Sequence, residues 1–407
     1  MTIGVTASVF GIALLAVLAP LLASGLSKLI KIPLVVFEIV LGLVFGPALL
    51  DIVQPTYITS ALADFGLAML FFLAGSEIDF ERIRGRPLQR SALGWVISLA
   101  SGIVIGILLA PSVEAGVYIG VALTSTALGT LMPMLRDAGE LRTPFGTSVI
   151  ALGAVGEFGP LIAISLFLSQ RRPGAAAVVL ILFVLITAAA IYFAAKGPHR
   201  RMHELITATL HTSGQFAIRL VLLLLSGLVL ISVLFDLDML LGAFAAGVIT
   251  KLLLAGADPK DATLIDSKLE AIGFGFLVPI FFINTGLTFD LNSLISSPTA
   301  LALLPVFLIL LLIVRGLPGI LSAQPGAAGA DKRALVLFSA TGLPIIVAVT
   351  AIGVDSGDLQ AGTASALVGA GMLSVLLFPL LGFGQHRRAP DGTPKPADHD
   401  DTVVEEG

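Results

Sequence analysis

Runs of about 20 consecutive apolar residues recur from one end of this chain to the other, and that is the length a helix needs to cross a hydrocarbon layer. Few folds are open to such a sequence. Inside a bilayer every backbone N–H and C=O needs an internal partner, so only helices or a closed barrel can span, and runs this long read as helices. Composition agrees: 57% of the 407 residues are apolar and 12% are charged, against roughly 25% charged in a soluble domain. The absence of Cys excludes disulfides and thiolate metal sites. A formal net charge of −4 points to no polyanion, so no nucleic-acid partner is expected.

Thirteen spans are expected, at about 5–26, 32–50, 58–76, 91–110, 115–134, 146–168, 174–195, 216–235, 238–254, 269–289, 298–316, 334–354 and 361–383. The first follows no basic segment and has full spanning length, so it reads as a retained span rather than a leader. The connections are short, and even the longest, 196–215 and 317–333, leave no room for a soluble domain. Residues 1–384 thus read as one membrane domain, and the polar, acidic segment 385–407 as a disordered tail.

All but Arg171 and Arg172 of the 23 Lys and Arg residues fall on the odd-numbered connections, their flanks or the C-terminus. By the positive-inside rule those are cytoplasmic, with the N-terminus outside and the C-terminus inside. The five His residues, His199, His203, His211, His386 and His399, fall on the cytoplasmic side too. The i, i+4 pair His199 and His203 reads as ordinary loop residues, with a role in sensing pH as the alternative.

The chain also resembles itself. Phe71-Phe72-Leu-Ala-Gly75-Ser-Glu77 matches Phe281-Phe282-Ile-Asn284-Thr285-Gly286; Leu41-Gly42-Leu-Val-Phe45 matches Leu241-Gly242-Ala-Phe244; and Thr124-Ser125-Thr126 with Gly129 matches Ser339-Ala-Thr341-Gly342-Leu-Pro344. Each pair joins spans seven apart, which run in opposite directions. The pattern predicts inverted-topology repeats over about 31–170 and 237–383, and corresponding Gly/Pro interruptions in two halves point to a midplane binding site. Hydroxyls and freed carbonyls at those breaks suit hard cations, although Ser and Thr also serve helix packing.

One charge stands out. Glu157 lies in the middle of 146–168 with no basic residue in its span, and Gly156, Gly159 and Pro160 around it weaken the helix. A charged side chain at midplane costs about 2.5–3.5 kcal/mol on insertion scales, and such residues mark ion pathways. A carboxylate that takes either a proton or a cation is the minimal antiport device, because the two ligands exclude each other. Other ionisable residues are weaker candidates. Asp64 and Glu38 are candidates for an access path, or polar anchors between spans. Glu77, Asp79 and Asp290 sit at span exits and read as solvated, and Glu270 reads as an interfacial ion-pair member. Arg315 sits near a span end, where it can snorkel. Asn284 and Thr285, inside a span, need partners.

Several stretches are similar to the monovalent cation:proton antiporter-2 family, the Kef- and NapA-like transporters. They are Pro33-Leu-Val-Val-Phe-Glu38-Ile-Val-Leu-Gly42-Leu-Val-Phe-Gly46-Pro47, Phe72-Leu-Ala-Gly75-Ser-Glu77-Ile-Asp79, Thr124-Ser-Thr-Ala-Leu-Gly129, Gly139-Glu140-Leu-Arg142-Thr-Pro-Phe-Gly146 and Pro279-Ile-Phe-Phe-Ile-Asn-Thr-Gly286. The resemblance spans about 10–383. It implies an all-α polytopic membrane protein of two inverted repeats, with two discontinuous helices crossing at the midplane, a separate panel that makes a homodimer, and elevator-like movement. It places Glu157 at the second position of the family's Asn-Asp, Asp-Asp or Gln-Asp ion-binding pair, and Gly156 at the first.

Two departures bear on mechanism. Gly156 removes one polar partner. Some electrogenic members carry a Lys in the span matching 269–289, but Phe276 to Gly286 holds no Lys or Arg. One carboxylate without a basic partner suggests electroneutral exchange. The expected function is therefore a secondary active Na+ or K+/H+ antiporter of the inner membrane, not an enzyme and needing no cofactor. Glu157 is its monovalent-cation and proton site, and Thr124, Ser125, Thr126, Gly156, Asn284, Thr285, Ser339 and Thr341 are its candidate ligands or helix-break residues. A cation-coupled symporter of a small organic solute and a channel-like potassium efflux subunit are the alternatives.

Overall fold

The computed structural model describes residues 3–26, 33–78, 83–168, 173–196, 215–254 and 258–386, and among them every regular element is a helix. In chain order these are α1 (Ile3–Leu26), α2 (Leu34–Phe45), α3 (Tyr57–Glu77), α4 (Arg86–Leu109), α5 (Val113–Ala122), α6 (Leu128–Asp137), α7 (Pro144–Leu168), α8 (Pro173–Lys196), α9 (Phe216–Leu234), α10 (Met239–Leu254), α11 (Pro259–Leu287), α12 (Pro298–Ser322), α13 (Gly329–Ser339), α14 (Pro344–Asp355) and α15 (Ala361–His386). Among the described residues, nine stretches are long and apolar enough to cross a membrane, with α13 and α14 taken together. Shorter apolar helices are α2, α5, α10 and 177–189 within α8. His199, His203, His211, His399, Asp79 and all of the expected tail beyond His386 lie outside the described residues.

Peripheral helices are apolar all round and bury only a stripe. In α1 the buried residues are Ser8, Ile12, Leu15 and Ala19, repeating every three or four positions, while Phe10, Leu14, Val17 and Leu21 are exposed. That outer face is what a lipid-facing helix presents. The stripe packs with Leu41, Ile280 and Ile283 of α2 and α11.

Small residues let the inner helices approach closely. A Cβ at Gly42 of α2 would lie 2.1 Å from the Ile283 carbonyl oxygen of α11, and one at Gly286 would lie 2.1 Å from the Ile39 oxygen of α2. The other pair is built alike: a Cβ at Gly75 of α3 would meet the Phe244 oxygen of α10 at 2.3 Å, and one at Gly247 would meet the Phe72 oxygen of α3 at 1.9 Å. No side chain fits at these four positions, which is the packing a membrane interior favours where the hydrophobic effect cannot drive helices together.

Two stretches of chain break in the buried interior. After α5 the backbone leaves the helix at 123–127 and re-enters it as α6; after α13 it leaves at 340–343 and resumes at Pro344. In the first break the Thr124 and Ser125 hydroxyls donate back to Val121 O and Ala122 O, at 2.8 and 3.0 Å, the local competition that ends helices. In the second, Pro344 cannot continue a helix but suits the first position of a new one. The breaks touch: Ala127 N donates to Thr341 O at 2.7 Å and the Thr126 hydroxyl to Ser339 O at 2.6 Å. Non-helical backbone is tolerated at membrane depth only when protein satisfies it in this way.

Several boundaries differ from expectation, among them the end of α2 at Phe45 rather than 50 and the start of α4 at Arg86 rather than 91. Helix α11 starts at Pro259, ten residues before the expected 269, because Asp258 caps it through the Lys260 amide at 2.8 Å. Helix α12 runs to Ser322 instead of 316, passing through a π-helical turn at Leu311–Gly316. Helix α15 continues through Gln385 and His386, two residues into the segment expected to be a tail, where His386 contacts Asp331 at 2.7 Å.

Candidate functional site

The site lies where α6, α7, α12 and the two breaks meet. Helix α6 begins at Leu128 after Ala127, which offers no side-chain cap. Its first amides are thus free to bind an acceptor from elsewhere, and a helix N-terminus carries partial positive charge. Glu157 of α7 supplies the acceptor: the Gly129 N–H donates to its Oε1 at 3.3 Å. The residue is 3% exposed. Its other oxygen, Oε2, is buried and has no hydrogen-bond partner. Leaving a buried acceptor unpaired costs about 1–3 kcal/mol, more when it is charged.

A cation also enters the site, from an unexpected source. Arg315 is 1% exposed and does not snorkel to a span end. Because α12 continues past it to Ser322, the guanidinium is held inside. Its Nε donates to the Thr126 hydroxyl at 2.8 Å and its Nη2 to Leu152 O at 2.7 Å, while its own carbonyl accepts from the Ser339 hydroxyl at 3.0 Å. The Thr126 hydroxyl passes its proton-donor role on to Ser339 O, so one chain of bonds ties α12, both breaks and α7. The Thr126 amide adds a bond to Gly156 O at 3.0 Å. Arg315 was legible only as a charge near a run's end; the apolar Leu317, Ile320 and Leu321 beyond it are the signal that the span continues.

Gly156 follows from this packing. A Cβ there would lie 2.5 Å from Arg315 Nη2 and 2.5 Å from Thr126 Oγ1. The first position of the expected polar pair is therefore occupied by the guanidinium of another helix and has no room for a side chain.

The remaining candidates divide. Thr124, Ser125, Thr126, Ser339 and Thr341 are all buried at the crossing, although the Thr341 hydroxyl donates back to Leu337 O of α13 at 3.0 Å. Asn284 and Thr285 are buried in α11; Thr285 donates to Phe281 O of its own helix at 2.9 Å, and Asn284 Oδ1 has no partner. No hydrogen bond joins either of them to the crossing among the described residues. Asp64 is exposed on α3. Glu38 is buried and lines a cavity of about 700 Å³, whose walls also include Glu77, Gly129, Arg136 and Phe282. Glu77, expected to be solvated at its span exit, has only 11% of its side chain exposed and lies 3.9 Å from Arg136. Glu270 pairs with the same arginine at 3.7 Å, and Asp290 caps the short helix Leu291–Ile295. Among the described residues, no group of three or more His, Cys, Asp or Glu could hold a metal ion.

Comparison with known proteins places the chain in a family. The family model described as sodium/hydrogen exchanger, transmembrane, matches residues 13–382. GerN of Bacillus cereus, named a Na(+)/H(+)-K(+) antiporter, is 26% identical over 297 residues, 69% of this chain and 72% of that one. The Na(+)/H(+) antiporter of Enterococcus hirae is 23% identical over 378 residues, 91% of this chain and 96% of that one. YjbQ of Bacillus subtilis is 24% identical over 395 residues, and the match takes in 62% of its length. The structure of the sodium proton antiporter MjNhaP1 from Methanocaldococcus jannaschii shares the fold, with a TM-score of 0.62 at 17% identity over 93% of this chain and 96% of that one. This chain, a multi-pass membrane protein of transporter rather than enzyme lineage, belongs to the sodium/hydrogen exchanger family.

Proposed function

We propose that this protein is a secondary active antiporter exchanging Na+ or K+ for H+, with Glu157 as the group that holds either ion. The observation that carries the reading is the state of that carboxylate: one oxygen held by the Gly129 amide, the other buried without a partner. The N-terminal end of α6 steadies the ionised form when neither ion is bound. Thr124, Ser125, Thr126, Ser339 and Thr341, buried at the crossing, are the candidates to lend oxygen atoms to a cation, and Asn284 and Thr285 are further candidates from α11.

The same reading takes exchange to be electroneutral. Arg315 bonds to Thr126 Oγ1 and Leu152 O. It balances the oxygen-rich crossing as a fixed charge, so Glu157 alone changes ligand, one for one. The architecture we infer has thirteen spans in one transport domain over 1–384. Two inverted repeats, 31–170 and 237–383, are supported by the two broken helices and by the reciprocal glycine pairs of α2 with α11 and α3 with α10. The N-terminus is outside, the C-terminus cytoplasmic, and the cavity that holds Glu38 serves as the inner access path; Asp64 would serve the outer one. A homodimer in the cell membrane completes the reading, as the family resemblance implies.

The test is purified protein in liposomes with an internal pH dye, given Na+, K+ and Li+ in turn, with and without a clamped membrane potential. Cation-dependent proton flux that does not change with the clamp is the expected result. Glu157→Gln should abolish it, and undiminished flux in correctly inserted Glu157→Gln protein sinks the assignment.

A further inference from the structure

The cavity beside the site contains more charge than an access path needs. At about 700 Å³ it can hold on the order of tens of waters, so a cation inside it can remain hydrated. Exposure grades along its lining: Arg136 has 53% of its side chain exposed, Glu77 has 11%, and Glu38 is 3% exposed as a whole residue. Gly129, whose amide holds Glu157, also lines it. One cavity thus contains a half-exposed guanidinium and two largely enclosed carboxylates, and its wall includes the residue whose amide holds Glu157.

Glu38, on α2, has no partner of either kind, hydrogen bond or ion pair, among the described residues, and Glu77, on α3, has only a long ion pair. Glu38 lines the cavity, and Glu77 has a buried Oε2 without a partner. Its Oε1 lies 3.9 Å from Arg136 Nη2, beyond hydrogen-bond reach, and the same nitrogen is 3.7 Å from Glu270. Low-dielectric walls around like charges concentrate a counter-ion.

We propose that Glu38 and Glu77 form a cation site in this inner cavity, outer only in lying between the solvent and Glu157, where a hydrated monovalent cation is held before passing to Glu157, and that Arg136 is a tethered competitor that the cation displaces. The proposal rests on Glu157 being the exchange site. Arg136 suits the part because it is shared between two carboxylates at long distance and tightly bound to neither. It keeps the site neutralised when the cation is scarce and yields when it is abundant.

The experiment measures exchange by the full chain in liposomes, with NaCl or KCl added on the side onto which the cavity opens. Removing one charge from a partly screened site should raise the apparent cation KM by about three- to tenfold in Glu38→Gln and in Glu77→Gln, with the maximal rate kept within about twofold. Arg136→Gln should lower KM by about twofold and lose that effect when combined with Glu77→Gln. Glu77→Asp, which keeps the charge, should recover part of the loss. If either Gln variant fails to fold, the Asp variant of that residue carries the test, with a smaller rise in KM expected. An unchanged KM in either carboxylate variant overturns the outer site, as does a fall in maximal rate at constant KM, or a higher KM in Arg136→Gln. If those results come with a dead Glu157→Gln protein, only the outer site falls. Exchange surviving in Glu157→Gln removes the reading beneath it.

Discussion

The two chain breaks are built from similar residues and end up unlike each other. Both interrupt a helix with Ser and Thr, and both are buried. The second break is closed within the protein: the Gly342 amide donates to the Ser374 hydroxyl of α15 at 3.1 Å, and that hydroxyl lies 3.1 Å from Gly342 O and 2.7 Å from Gly371 O. The first break is left open. Neither following helix has a side-chain cap, but here an amide of the first turn is given to Glu157, which keeps one oxygen unpaired. A break pinned by a hydroxyl from a neighbouring helix is a brace; one that recruits a half-satisfied carboxylate can bind something. Sequence symmetry between halves therefore does not make the halves chemically equivalent.

The comparison can be broken in steps. Glu157→Asp should cut exchange most among charge-preserving changes, because the shorter carboxylate gives up the Gly129 amide; a drop of about tenfold or more in rate corresponds to about 1.4 kcal/mol of lost stabilisation. Arg315→Met comes next. It leaves Thr126 Oγ1 and Leu152 O without their donor and should cost about 2–4 kcal/mol, from two buried acceptors losing charge-assisted bonds. Thermal unfolding in detergent reads it, and Arg315→Lys should recover only part because it lacks the fork. An unchanged midpoint in Arg315→Met would mean that the first break is held by something else.

Gly156→Ala should then cost about 1–3 kcal/mol, since the added methyl must push Thr126 or Arg315 aside. Ser374→Ala should lower the midpoint by about 1–2 kcal/mol, the cost of an unpaired Gly342 amide, with cation KM unchanged, because the second break is a brace. A raised KM there would show that both breaks bind. Thr341→Val should do least, below about 1 kcal/mol, as its hydroxyl bonds only back to Leu337 O at the end of the preceding helix. A clear rise in cation KM in that variant would instead make Thr341 a ligand.

What could be read from residue order was whatever depends on length and local chemistry. Apolar runs identified the helices, because a bilayer demands a fixed span and internal hydrogen bonds. Glu157 was legible because an isolated charge in such a run is expensive, and the breaks at Thr124-Ser125-Thr126 and at Gly342-Leu343-Pro344 were legible because hydroxyls and proline end helices locally. Arg315 was misread for a local reason: the run appeared to stop there, while the helix continues two turns further. Ser374 had no signal at all, being one hydroxyl in an apolar helix. Glu77 looked solvated because nothing in its own segment says that α10 and α6 enclose it.

The sequence by itself determined that this chain is a bundle of membrane helices with one carboxylate too costly to be accidental and two places where helices must stop. Only the tertiary structure decided that Arg315 comes from α12 to fill the space Gly156 leaves, that the α6 N-terminus caps Glu157, and that Ser374 seals one break while the other stays open. The reason is physical. Helix formation and its termination are settled within a few residues, whereas the partner of a buried polar atom is chosen by whatever lies nearest after packing, here from positions 28 to 189 residues away in the chain.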